Sequence, residues 1–253
     1  MTRSAPVLEL LDRLRNLAEL RGVDFFGIAD LTEAREAIEE QGGPVVAAFQ
    51  RAVSVGITLP HTVVDQLRDH TDHIAAASYR HVAYDVVNTR LDLIASEIGS
   101  EIQRAGYRVI PVPASKRTDD QRICGIFSHK MAARLAGLGW IGKSCLLVTP
   151  EAGPRVRWVT ILTDAPLPAP GQSLEARCGS CTSCVDSCPV HAFSGEPFRE
   201  QESREARFDA RACERYIAGQ EQRSGSAVCG LCLFICPYGK DRQNEKEPAE
   251  EFR

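Results

Sequence analysis

Residues 178–189 read CGSCTSCVDSCP and residues 229–237 read CGLCLFICP. The first run spaces Cys178, Cys181, Cys184 and Cys188 as C-x2-C-x2-C-x3-C-P, the full bacterial cluster-binding run. The second places Cys229, Cys232 and Cys236 in a related loop, and Cys213 stands alone between the two. Eight thiolates meet the demand of two [4Fe–4S] clusters at four ligands each. In two-cluster proteins of this kind the fourth cysteine of a run ligates the other cluster. The spacing therefore predicts Cys178, Cys181, Cys184 and Cys236 around one cluster, and Cys188, Cys213, Cys229 and Cys232 around the second.

A cubane needs three thiolates converging from one short loop, and small residues keep that loop close. Gly179, Ser180, Thr182 and Ser183 serve the first run, and Gly230 the second. Pro189 and Pro237 remove a backbone donor and turn the chain away. Zinc sites use paired CxxC units but do not call for a third cysteine two residues on and a fourth before proline. Adjacent CxxC units without a signal peptide also argue against a disulfide framework.

The remainder of the 253 residues suffices for a sizeable core. Net charge is −4, so overall charge does not favour a nucleic-acid surface. The N-terminus is amphipathic and acidic instead of carrying a continuous apolar signal segment, and no stretch approaches the roughly 18 apolar residues of a membrane span. These features predict a cytoplasmic protein with no membrane partner, in a compartment where thiolates survive.

Leu8, Leu11, Leu14 and Leu17 predict a first helix. Strands are expected at 23–28, 54–59, 107–112, 146–148 and 158–162. Residues 61–78 read as a loop with short helical turns. Val87, Leu91, Ile94, Ile98 and Ile102 mark a long helix over 82–105, ended by Gly106. A further helix spans 128–136, with Ser128 as its N-cap. The alternation predicts an α+β fold, an α/β sandwich, over residues 1–168. Pro166, Pro168 and Pro170 form a linker, residues 169–240 form the two-cluster domain, and 241–253 form a charged tail.

Residues 137–144, GLGWIGKS, match the phosphate-loop pattern G-x4-G-K-[ST]. A phosphate loop needs a strand before it and a helix after it, and here the order is reversed. A rigid turn with close backbone approach and an exposed Lys143 is the better reading.

The run HKMAARLAGLGWIGK (129–143), with LLVTP (146–150), TDAPL (163–167) and the order of the eight cysteines, resembles the epoxyqueuosine reductases. That family is related to the corrinoid-dependent reductive dehalogenases. The resemblance covers roughly residues 80–240. It implies a nitroreductase-like α/β domain holding cobalamin, with a ferredoxin-like domain whose two clusters pass electrons to cobalt. By motif match, Gly139, Trp140, Ile141, Gly142 and Lys143 lie against the corrin. Two departures stand out. The family carries C-terminal helical repeats for tRNA, which this chain is too short to contain. It also carries an aspartate acid whose matching position here is Ile123, with Asp119 and Asp120 out of register. Both argue against tRNA as substrate and for a short paralogue acting on another small-molecule or nucleoside-like substrate, with an external electron donor such as a ferredoxin or flavodoxin.

Tyr79, Arg80, His81 and Tyr84 fall where the family has a Tyr-His near cobalt, and Tyr84 and Asn88 share a helix face. His129 and Lys130 precede the signature helix, where a histidine could donate a proton. Tyr84, His129 and Lys130 are therefore the expected catalytic residues. The alternatives for them are a polar helix face and a cap-region side chain. His61, His70 and His73 lack tight ligand spacing, His191 reads as a side chain beside the first run's ligands or on the surface, and Cys124 and Cys145 read as packed thiols. The competing function is a ferredoxin-type electron-transfer protein whose N-terminal domain docks a partner. The roughly 165 residues before the clusters favour the reductase, because a dicluster fold alone needs only about 60–80.

Overall fold

The computed structural model describes residues 4–240. The predicted charged tail, 241–253, lies outside the described residues. Four antiparallel strands form the central sheet in the order β1-β2-β6-β3. They are β1 (Phe25–Asp30), β2 (Arg51–Thr58), β3 (Val109–Val112) and β6 (Val156–Thr163). The registers Val55↔Val159 and Pro111↔Ile161 align the middle of the sheet. Alternation then divides the side chains between two faces. Val53, Val55, Ile57, Val159 and Ile161 pack under α1 (Ser4–Leu20) and α5 (Asn88–Arg104). Ala29, Ala52 and Leu162 pack under α2 (Arg35–Ala47) and α6 (His129–Leu135). The result is a helix–sheet–helix sandwich, as the alternation of elements predicted.

Several local expectations change. The buried stripe of α1 is Val7, Leu10, Leu11, Leu14 and Ala18, while Leu8 is 48% exposed. The stripe follows the 3.6 period, which strict spacing by three overruns. Helix α2, absent from the sequence reading, hides behind Gly42-Gly43-Pro44: two short helices meet at Gly43, whose φ is 78°. The long helix starts earlier than expected. α3 (His61–Asp65) and α4 (His73–Tyr79) precede it, and an eight-residue π turn, Arg80–Val87, joins α4 to α5. Ser128 occupies the N-cap of α6, but its side chain makes no capping hydrogen bond.

The glycine-rich segment forms a hairpin of β4 (Trp140–Ile141) and β5 (Leu147–Val148), so helix α6 leads in and strands lead out. The cysteine region is mostly loop, with α7 (Ser183–Asp186), α8 (Ala210–Ser224) and α9 (Leu231–Phe234). Asp209 caps α8 by accepting from Ala212 N, and Gly225 ends it at φ 73°. The cysteine region packs on the α3–α4 side of the sandwich, where Gly230 approaches Leu67. Among the described residues no helix is long and apolar enough to cross a membrane.

Candidate active site

Folding gathers the seven cysteines of the two runs and Cys213 into two foursomes, visible in which sulfurs act on one another. Burial pushes the Cys184 thiol up to about 11, and Cys178 and Cys181 add to the shift. Burial also lifts Cys236 to about 11, and its thiol neighbours are Cys178, Cys184 and Cys181. In the other group burial lifts Cys213 to about 11, beside Cys229 and Cys188. Cys232 is pushed up by burial and then by Cys229, Cys213, Cys184 and Cys188. The two foursomes therefore adjoin at Cys184 and Cys232. Each is wider than a single-ion site: among the described residues no three His, Cys, Asp or Glu side chains gather closely enough to hold one metal ion. Cys181 differs from its partners: its Sγ lies 3.5 Å from the Ser183 hydroxyl, and hydrogen bonds that Ser183 donates to the thiolate lower its pKa.

The hairpin links this region to the sandwich. A Cβ on Gly139 would lie 2.4 Å from Val148 O, and one on Gly142 would lie 3.0 Å from the Val148 side chain and 3.5 Å from Cys178 Sγ. The close approach that the glycines permit is thus to the hairpin's own partner strand and to the first cysteine run. Residues 139–142 are buried, and Lys143 Nζ donates to Gly179 O at 2.9 Å. Trp140, 1% exposed, stands edge-on to Tyr238 at 4.9 Å.

Two cavities share Ala114 and His129 in their walls, and the smaller one borders the hairpin at Leu147. The larger, about 360 Å³, is lined by Val112, Lys116, Arg117, Cys124 and Phe127 among others. The smaller, about 250 Å³, is lined by Lys130, Cys145, Leu147, Arg157 and Trp158 among others. Residues 139–143 line neither; Trp140 and Ile141 border a separate hollow of about 220 Å³ with Arg134 and Phe198.

His129 lies between the two cavities, but its ring is fully engaged. Nε2 is 3.0 Å from Pro113 O and Nδ1 is 2.9 Å from Thr160 Oγ1. A carbonyl can only accept, so Nε2 carries the hydrogen and Nδ1 accepts from the Thr160 hydroxyl. Burial lowers its pKa to about 4, so the ring is neutral near pH 7 and its one N–H is committed. Lys130 Nζ donates to Cys145 O at 2.7 Å, and burial lowers its pKa to about 8. Tyr84 and Asn88 do converge, through a residue the sequence reading missed. Arg157 donates from Nε to Asn88 Oδ1 at 2.9 Å, and its guanidinium lies 4.6 Å over the Tyr84 ring. The available signal was one arginine inside the apolar strand VRWVTILT. Tyr84 stands edge-on to Tyr79, whose pKa is raised by burial first and by Tyr84 and Cys232 besides. A line of neighbours therefore runs from Cys232 through Tyr79 and Tyr84 to Arg157 and the smaller cavity.

At the position matching the family aspartate, Ile123 adopts φ 53°, a strained value for a β-branched residue. Its carbonyl accepts from Arg204 at 3.1 Å, and Arg204 also reaches the Arg122 carbonyl. Arg211 holds the Asp120 carbonyl at 2.7 Å. Asp119 accepts from Gln121 N and Arg122 N, folding the loop locally. Cys124 is half-buried and burial raises its thiol, while buried Cys145 receives Arg207 Nη1 at 3.6 Å. The remaining histidines disperse: His61 meets Arg155, His70 meets Tyr216, His73 lies beside Asp72, and His191 is exposed.

Comparisons with known proteins bear on the cysteine region and on the fold. Residues 177–239 match the 4Fe-4S double cluster binding domain family. An epoxyqueuosine reductase of Bacillus anthracis is 31% identical over 50% of this chain and 33% of its own length. One from Xanthomonas campestris pv. campestris is 30% identical over 67% of this chain and 44% of its own. The chain thus spans less than half the length of these relatives. A reductive dehalogenase, whose structure suggested a mechanism for B12-dependent dehalogenation, superposes with a TM-score of 0.67 at 21% identity, covering 90% of this chain and 31% of that one. An epoxyqueuosine reductase with a modified tRNA-Tyr stem loop gives 0.57 at 21%, covering 92% and 66%. These structures share the fold, and the chain is epoxyqueuosine reductase-like in sequence.

Proposed function

We propose that this chain is a reductase in which an external donor, a ferredoxin or flavodoxin, supplies electrons through two [4Fe–4S] clusters to a corrinoid that acts on a small-molecule substrate. Cys178, Cys181, Cys184 and Cys236 would hold one cluster, and Cys188, Cys213, Cys229 and Cys232 the other. The single observation that carries the reading is the adjoining pair of four-thiol groups, connected through Tyr79 and Tyr84 to a cavity wall. When bound, the clusters supply one electron at a time and the corrinoid supplies a cobalt centre able to reduce an electrophilic bond.

The chain's own residues suit that role. The two cavities lie on either side of Ala114 and His129, and in the smaller one Leu146, Leu147 and Trp158 offer an apolar wall against which a flat macrocycle would pack. The buried hairpin 139–142 backs that wall and keeps it against the first cysteine run. His129, neutral and doubly hydrogen-bonded, ties Pro113 at the end of β3 to Thr160 in the middle of β6 in place of exchanging protons. Lys130, protonated at neutral pH with a pKa near the working range, and Tyr84, beside Arg157, are the groups placed to give a proton.

Iron, sulfide and cobalt analysis of protein purified and reconstituted without oxygen tests the reading. About eight irons per chain with stoichiometric corrinoid is the expected result. Eight irons with no corrinoid uptake would remove the proposed cofactor, and uptake of flavin instead would keep a reductase with other chemistry.

A further inference from the structure

The chain as a whole is acidic, with a net charge of −4, yet the walls of the two cavities carry Lys116, Arg117, Lys130 and Arg157 and no Asp or Glu. Two of the four are accounted for elsewhere or lie in solvent. Arg117 pairs with Glu214 and Asp120, and Lys116 is exposed. Lys130 and Arg157 are different. Lys130 bonds only a neutral carbonyl, that of Cys145. Arg157 bonds only the neutral Asn88 amide and the π face of Tyr84. Among the described residues neither has a carboxylate within salt-bridge distance. The charged groups acting on Lys130 are Cys145, Arg204, Arg207 and Glu205. Cys145 and Glu205 favour the charged lysine and the two arginines oppose it; Cys145 is a thiol, and Glu205, the one carboxylate of the set, is already paired with Arg204 and Arg122.

Withdrawing a cation from water without a counter-charge is costly, and an anion arriving from solution would relieve that cost. Arg157 is the one half-exposed residue of a strand whose other residues are buried, so its charge faces the cavity from an apolar frame. A cationic recess in a low-dielectric wall also concentrates anions from solution. Lys130 remains protonated at neutral pH even though burial lowers its pKa to about 8.

We infer that the substrate of this site is an organic anion, whose carboxylate or phosphate is received at the wall that carries Lys130 and Arg157. This rests on the reductase reading for the words "substrate" and "site", but the binding it requires can be measured without turnover.

Calorimetric titration of cluster-loaded, corrinoid-free protein with benzoate and phenyl phosphate, and with the neutral analogues benzamide and phenol, provides the test. The anions should bind at least about tenfold tighter than their neutral analogues. Benzoate ahead of phenyl phosphate assigns a carboxylate, and the reverse assigns a phosphate. Arg157→Gln and Lys130→Gln should each erase most of that preference, whereas Arg157→Lys, which keeps the charge, should retain it. Equal binding of charged and neutral probes, or binding of neither, overturns the inference. The same titration after corrinoid loading separates the source of the anion. Retained binding supports a substrate anion, and abolished binding shows that the cations serve the cofactor's own phosphodiester and overturns the substrate assignment. Failure of corrinoid to load at all removes the reductase mechanism while leaving the anion preference measurable.

Discussion

The sandwich and the cysteine region are held together by different forces. In the sandwich, buried Val, Ile and Leu cover both faces of a continuous sheet, and strands β2 and β6 are buried along nearly their whole length. Between residues 177 and 239 the buried apolar side chains are few: Ala192, Phe193, Val228 and Leu233, with Cys188 among them. Its helices α7 and α9 are four residues long, too short to persist on helix propensity alone. One region can fold by apolar burial, and the other needs its thiols tied together.

The largest effect that could break this contrast is removal of iron. Chelation, or Cys184→Ala, should abolish amide protection across α7, α8 and α9 and leave β2 and β6 protected. Hydrogen exchange read by mass spectrometry distinguishes the regions, and loss of the sheet in the same step would show that they are one cooperative unit. The converse perturbation is Ile161→Ala in the sheet. It should lower stability by about 2–5 kcal/mol, seen in denaturant unfolding, while iron bound per chain stays constant.

Acid should act on the sandwich through His129. Its pKa is about 4 when folded, against the ordinary 6.5, so the unfolded chain takes up the proton first as pH falls. Stability is therefore full above pH ~6.5 and declines between ~6.5 and ~4, by roughly 3 kcal/mol for this residue. His129→Gln should flatten that part of the pH–stability curve, and an unchanged slope would place the acid sensitivity elsewhere. The smallest expected effect lies at the junction of the two regions. Arg204→Met removes donors to the carbonyls of Arg122 and Ile123. It should cost about 1 kcal/mol and raise exchange in residues 119–124, without altering exchange in β6.

What was legible in the sequence follows from range. Cysteine spacing is local, so the two runs could be read directly, and so could the periodic stripe of α5. Helix α2 was masked because Gly42-Gly43-Pro44 punctuates it, although only Gly43 leaves the helical region. The π turn at Arg80–Val87 keeps an apolar pattern too similar to an α-helix to be told apart. Reading GLGWIGK as a place of close backbone approach was sound, and the approach the fold shows is within the chain: a Cβ on Gly139 would meet the Val148 carbonyl, and one on Gly142 the Val148 side chain and Cys178.

By itself the sequence determined the thiol inventory, the reversed order around the glycine-rich turn and the α+β class, because each depends on neighbours within a few positions. Only the tertiary structure decided that His129 is a neutral strut between Pro113 and Thr160, and that Arg157 gathers Tyr84 and Asn88 beside a cavity. Those partners lie 16 to 73 positions away along the chain, and burial, which sets the charge each group can carry, exists only once the layers have closed.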